Sequence, residues 1–135
     1  MRVAVLVFCL LVATACDEKS PVAPTVPLNE RFTLAPGQTV EVEGAGLFLE
    51  FRGVTGDSRC PADVMCVQGG DAIVHVRVGG AASQADHELH TGDSSRAVAT
   101  HGQARITLVE LQPYPFSSRT IAPADYRATL TVTQP

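Results

Sequence analysis

The 135-residue chain sets 10 Lys/Arg against 14 Asp/Glu, a formal net charge of −4, and has room for one domain and its targeting apparatus. Lys19 is its one lysine and no Lys/Arg cluster occurs, which excludes the phosphate-contacting surface of a nucleic-acid binder. A core of about 105 residues buries roughly 60–70% of its unfolded surface, enough to fold alone.

Met1-Arg2 is followed by an apolar run from Val3 to Ala15 and then by Cys16. One positive charge, a short greasy core and a small-residue exit predict a cleaved signal peptide over residues 1–15. As a helix the run spans about 20 Å, short of the ~30 Å hydrocarbon core of a bilayer. Ala13-Thr14-Ala15 suits ordinary cleavage and secretion. The same stretch ending in Cys16 resembles the bacterial lipobox, whose Cys is acylated and becomes the mature N-terminus, although Ala13 stands where Leu is usual. Lipidation of Cys16 is the preferred reading, because an unpaired thiol at an exported N-terminus would be a liability. The expected address is the bacterial cell envelope, membrane-anchored on the periplasmic or outer side, with plain secretion as the alternative. Loss of residues 1–15 removes Arg2 and leaves nine basic against 14 acidic residues, a charge of −5.

Residues 16–29 carry Pro21, Pro24 and Pro27. A proline at every third position predicts a polyproline II tether, reaching roughly 40 Å at about 3.1 Å per residue and holding the domain clear of the lipid.

From Glu30 to the C-terminus the hydrophobic pattern has period two, the mark of half-buried strands. Phe32 and Leu34 alternate with Arg31 and Thr33; Val40 and Val42 alternate with Glu41 and Glu43. Leu47, Leu49 and Phe51 share one face, as do Ala72, Val74, Val76 and Val78. Tyr126, Ala128, Leu130 and Val132 form the clearest inward set. Ile106 to Leu111 breaks phase, which requires either a β-bulge near Leu108 or a strand buried on both faces. Turn signals at Gly44, Gly69-Gly70, Gly79-Gly80 and Gly92-Asp93 separate the runs. Residues 30–135 are therefore expected to form an all-β domain: an antiparallel β-sandwich of immunoglobulin-like or Greek-key type with seven to nine short strands, a closed barrel being the lesser alternative. Tyr126, just before the last strand, is read either as a tyrosine corner or as an ordinary core aromatic.

Cys60 and Cys66 stand six positions apart in a polar loop. With Cys9 in the signal peptide and Cys16 taken by lipid, they predict a local disulfide. Around them run Ser58-Arg59-Cys60-Pro61-Ala62-Asp63-Val64-Met65-Cys66, then Leu108 to Pro115 ending in Pro-Tyr-Pro, then Asp125-Tyr126 leading the last strand. In this combination the chain resembles a family of uncharacterised bacterial lipoproteins with an S-R-C-P-x-x-V-x-C hairpin. The resemblance implies a sandwich fold and an envelope location, and it brings no activity. Gln68 departs from it, standing where a tryptophan is expected.

The chemistry-bearing residues form no catalytic signature: neither G-x-S-x-G nor H-E-x-x-H occurs. His87 and His90 have H-x-x-H spacing, but in a strand positions three apart face opposite ways. All four histidines are expected to be solvated or structural, and neither a metal nor a cofactor is expected. Asp57, Asp63 and Asp71 crowd the hairpin, where acidic residues are also common for backbone reasons. A copper site at Cys60, Cys66 and Met65 would need free thiols. The resulting expectation is a non-enzymatic envelope lipoprotein, attached to the membrane by its lipid and presenting Asp63, Met65 and Tyr114 to an envelope protein or glycan. A protease inhibitor using loop 60–66 is the alternative.

Overall fold

Among the described residues, alternating β-branched and polar residues form nine strands: β1 (Thr25–Val26), β2 (Arg31–Leu34), β3 (Thr39–Val42), β4 (Leu47–Thr55), β5 (Ile73–Gly80), β6 (Gln84–His90), β7 (Val98–His101), β8 (Ala104–Gln112) and β9 (Arg127–Thr133). This computed structural model describes residues 22–135. The expected signal peptide, Cys16 and the first part of the tether lie outside the described residues. The strands form two sheets, β1-β3-β4-β5-β6 and β2-β9-β8-β7. Leu49, Phe51, Val74, Val76 and Leu89 on the first sheet and Ile106, Leu108, Leu130 and Val132 on the second are buried in one shared core. Each inward set is the period-two set of its strand, as a two-sheet sandwich requires.

Most strands pair with their neighbours in sequence. In β3-β4-β5-β6 and again in β7-β8-β9 each strand pairs with its neighbour in sequence, and β2 lies against β9. Short turns such as Gly79 to Ser83 and His101 to Ala104 favour hairpins, and the chain follows them round as a meander.

The phase break in β8 is a bulge. Leu108 pairs with Leu130 and Glu110 with Thr129, so Val109 is the extra residue. Val109 turns outward while Ile106, Leu108 and Leu111 are all buried. A second bulge in β4 pairs Phe51 with Val76 and Gly53 with His75, leaving Arg52 over. Gly53 adopts φ +131°, a backbone region closed to most L side chains.

The folded part starts earlier than Glu30. Thr25 and Val26 lie parallel to Glu41 and Val42. The Glu41 N–H donates to the Pro24 carbonyl at 2.9 Å and the Glu43 N–H to that of Val26 at 2.8 Å. Asn29 N–H then reaches the Val132 carbonyl of the other sheet at 2.9 Å, with Asn29 in the left-handed region at φ 64°. Pro24 takes part through its carbonyl alone, which an edge strand tolerates. The residues expected as the last part of the tether are thus an edge of the first sheet.

Phe51 is fully buried at the centre of β4. Phe51→Ala is expected to lower unfolding stability by about 3–5 kcal/mol, measured by urea denaturation.

Candidate functional site

β4 and β5 are joined by the loop 56–72, and β8 and β9 by the loop 113–126. Both lie at the same end of the sandwich, here called the loop pole. The first loop leaves β4 and immediately buries a charge. Arg59 has only 6% of its side chain exposed, and its partner Asp57 only 11%. The guanidinium donates through Nε and Nη2 to the two carboxylate oxygens of Asp57, at 2.9 and 2.6 Å. It also donates through Nη1 to the Leu111 carbonyl at 2.6 Å and through Nη2 to that of Pro113 at 2.9 Å. A fork of this kind fixes a carboxylate and two carbonyls at once, which Lys cannot do.

Asp57 is the hub of the same cluster. Burial works against its charge, but the side-chain and backbone hydrogen bonds from Arg59 and the Arg59 charge outweigh it and hold its carboxyl below the usual range. The Tyr126 hydroxyl donates to the same carboxylate at 3.0 Å. Burial, then the Asp57 carboxylate, push the Tyr126 phenol up. Tyr126 is therefore not a tyrosine corner, whose hydroxyl bonds back to nearby backbone. The carboxylate that Arg59 holds in place is the stronger acceptor.

The base of the loop is closed by Ser58 and Asp71. Ser58 N–H donates to the Asp71 carbonyl at 2.7 Å. Beside them the chain passes so close that a Cβ on Gly70 would lie 1.5 Å from the Ser58 oxygen, which only glycine avoids. The Asp71 carboxylate receives His90 Nδ1–H at 2.5 Å and the Gly92 N–H at 2.8 Å. Burial opposes its ionisation, yet the bonds from His90 and Gly92 prevail and lower its pKa to about 2. The other ring nitrogen of His90, Nε2, accepts from Arg96 at 2.5 Å. An ionised carboxylate only accepts and a guanidinium only donates, so the contacts assign the proton of His90 to Nδ1. No hydroxyl or thiol can take a place that Arg96 fills. This Asp-His pair is a brace and not the base of a hydrolytic triad.

Cys60 and Cys66 form the expected disulfide, with Cα atoms 6.0 Å apart. The ring they close is bonded to the second loop. Ala62 N–H donates to the Pro115 carbonyl at 2.9 Å, and Ser117 donates to Asp63 through its N–H at 2.8 Å and its hydroxyl at 2.5 Å. These Ser117 bonds keep the exposed Asp63 carboxyl below its ordinary range. Tyr114 lies with its ring 5.5 Å from the Arg59 guanidinium carbon and is 52% exposed. The expected trio thus comes together on two loops, with different roles. Asp63 is a cross-brace, Tyr114 is half-packed, and Met65 projects entirely into solvent. Val67, just past the disulfide, is equally exposed, and Val64 and Phe116 are more than 40% exposed. Gln68 is exposed as well, so the position where the resemblance implies a tryptophan has no packing role here.

The remaining candidates stay apart. A surface cavity of about 690 Å³ lies on the outer face of β4 and β5 and is lined in part by Arg52, Thr55, His75, Arg77 and Asp86. Thr55 Oγ1 and His75 Nε2 are 2.6 Å apart, but Glu88 stands 3.9 Å from Nδ1, beyond hydrogen-bonding range. Arg77 and Asp86 occupy each other. His87 and His101 meet edge to face across the neighbouring edges of the two sheets, their nitrogens 3.5 Å apart. Burial and then the His101 charge lower the His87 pKa. Asp57, Asp63 and Asp71 are each committed to a different partner. Among the described residues, no three of His, Cys, Asp and Glu are grouped to hold a metal ion.

The geometry defines a β-sandwich whose loop pole is built from a disulfide-closed loop latched to its neighbour. Compared with protein-family models, curated proteins and solved structures, the chain matches none.

Arg59, Asp57 and the His90 brace carry the site without having been singled out as a unit by the sequence. The one signal was local: Asp57-x-Arg59 flanks the first cysteine with a carboxylate and a guanidinium two residues apart. Arg59→Ala leaves a buried carboxylate without its cation and is expected to cost about 3–5 kcal/mol in urea unfolding. The pH response has a definite sign. The folded-state pKa of Asp71 lies at about 2, below its ordinary 3.8, so its ionised form favours folding above about pH 4 and that contribution is lost as pH falls towards 2. Asp71→Asn, whose amide oxygen still accepts from His90, is expected to flatten the acid limb of the stability–pH curve over that interval.

Proposed function

We propose that this chain is a non-enzymatic, lipid-anchored envelope protein that works as an interaction module through its loop pole. The observation that carries the reading is the exposure of Met65 and Val67 to solvent on a loop that is held rigid. Large apolar side chains left in water at one end of a domain mark a contact surface. The disulfide, the Asp63–Ser117 bonds and the Arg59 latch order this surface before any partner arrives, which lowers the entropic cost of binding. The lipobox-like Ala13 to Cys16 and the resemblance to envelope lipoproteins supply the address.

The inhibitor reading fits less well. Proteases take their inhibitors as extended segments, by pairing with main chain. Within the ring, Val64 N–H turns back to the Pro61 carbonyl at 3.3 Å, and the segment is a turn.

The test replaces Met65 and Val67 together with Asp in the full chain. Both side chains are free in solvent, so the melting temperature is expected to hold. Retention on envelope fractions of a Cys16→Ser chain, which lacks the candidate lipid site, is expected to drop by about tenfold or more. Unchanged retention would show the pole to be inert and overturn the reading.

A further inference from the structure

The direction in which the chain enters the domain bears on what the loop pole touches. β4 runs towards the pole, reaching it at Thr55; β3 is antiparallel to β4 and so runs away from it. β1 is parallel to β3. The chain therefore reaches Thr25 from the poleward side. Thr25 is in register with Glu41, and Glu41 with Phe48. From Phe48 to the end of β4 at Thr55 the strand covers about 23 Å at roughly 3.3 Å per residue.

The chain upstream is short. Thr25 is nine positions after Cys16, a reach of at most about 30 Å. The chain thus enters β1 from the poleward side, and its reach is long enough to span the distance from β1 to the pole. A stand-off tether of 13 residues would have left the domain free to face any way; pairing of Thr25 and Val26 shortens it and aims it.

The chemistry of the pole suits a lipid surface. Met65, Val67, Val64, Tyr114 and Phe116 are its exposed apolar side chains. Arg59 and Asp57 are turned inward on each other and the exposed Asp63 is bonded by Ser117, while Arg119 and Asp125 stand exposed on the second loop. Aliphatic side chains on a tip with aromatic ones beside it make an arrangement that enters the boundary between headgroups and acyl chains.

We infer that the loop pole docks on the bilayer that holds the anchor, with Met65 and Val67 at the level of the upper acyl chains and Tyr114 and Phe116 among the headgroups. The inference rests on the proposed function and names the partner of that same surface. It makes the domain lie against its membrane, pole down.

The chain contains no tryptophan, so one introduced residue reports alone. Val67→Trp places it on the pole. Ala82→Trp, exposed in the turn between β5 and β6, places it at the opposite end. Phe116→Trp is a second pole reporter should Val67→Trp disturb the loop. Each full-length variant is recovered from its own envelope, and intact mass records whether Cys16 carries a diacylglyceryl group. It is then reconstituted into phosphatidylcholine/phosphatidylglycerol vesicles with brominated acyl chains.

The expected result is a blue-shifted Val67→Trp emission, quenched several-fold, with Ala82→Trp unaffected. Equal, unquenched emission from both on an acylated chain overturns the inference and leaves the pole to a protein partner. If the mass shows no acyl group, the anchor reading fails by itself. Quenching of the unanchored chain at Val67→Trp then sustains bilayer docking, and its absence overturns docking too.

Discussion

The loop pole depends on one buried cation. Arg59 has given up water on nearly every side, and a charge so placed is tolerable only when its donors are matched. Here the matching groups come from three separate stretches: the carboxylate of Asp57, the carbonyls of Leu111 and Pro113 at the end of β8, and, through Asp57, the hydroxyl of Tyr126 before β9. The cation ties the loop of one sheet to strand ends of the other. Without it the disulfide would close a small ring on an otherwise loose loop. With it, the ring has a fixed position relative to the core.

The Asp71–His90–Arg96 chain performs the same task on the other flank of the loop. It resembles the orienting half of a hydrolase, yet each valence is spent on structure. Among the described residues every buried side-chain polar atom has a partner, and aliphatic and aromatic side chains, Met65, Val67, Tyr114 and Phe116 among them, stand exposed beside polar ones at the pole. The division follows from where the sites fall. The strands supply a complete apolar core, so the polar groups at their ends satisfy one another and brace the loops.

Much of the sandwich was legible from period-two alternation, because each sheet has one face in the core and the other in water. The out-of-phase residues around Leu108 even announced a bulge. The disulfide followed from cysteine arithmetic in a chain read as exported. Strand order was not legible: alternation says which face is buried, not which strand lies beside which. β1 escaped notice because Pro24 and Pro27 read as tether, although a parallel edge strand can use a proline's carbonyl. At the pole, Met65 and Tyr114 were visible as apolar residues in a polar loop. Arg59 and His90 were not, since nothing local distinguishes a buried charge from a solvated one until its partners arrive from residues 52 and 19 positions away.

The attachment of β1 gives the domain a mechanical property. The main-chain bonds of a two-residue ladder hold it to β3, those to the Pro24 and Val26 carbonyls among them, and another secures Asn29 to the far sheet. Tension from the N-terminal side acts along the strand and loads this small set before any part of the core. When it yields, residues 25–29 join the leash and lengthen it by up to about 17 Å, while the cross-braced pole and the eight-stranded body keep their shape. The chain thus has a built-in yield point, a place where a pull on its N-terminal side is relieved by slack before the core unfolds.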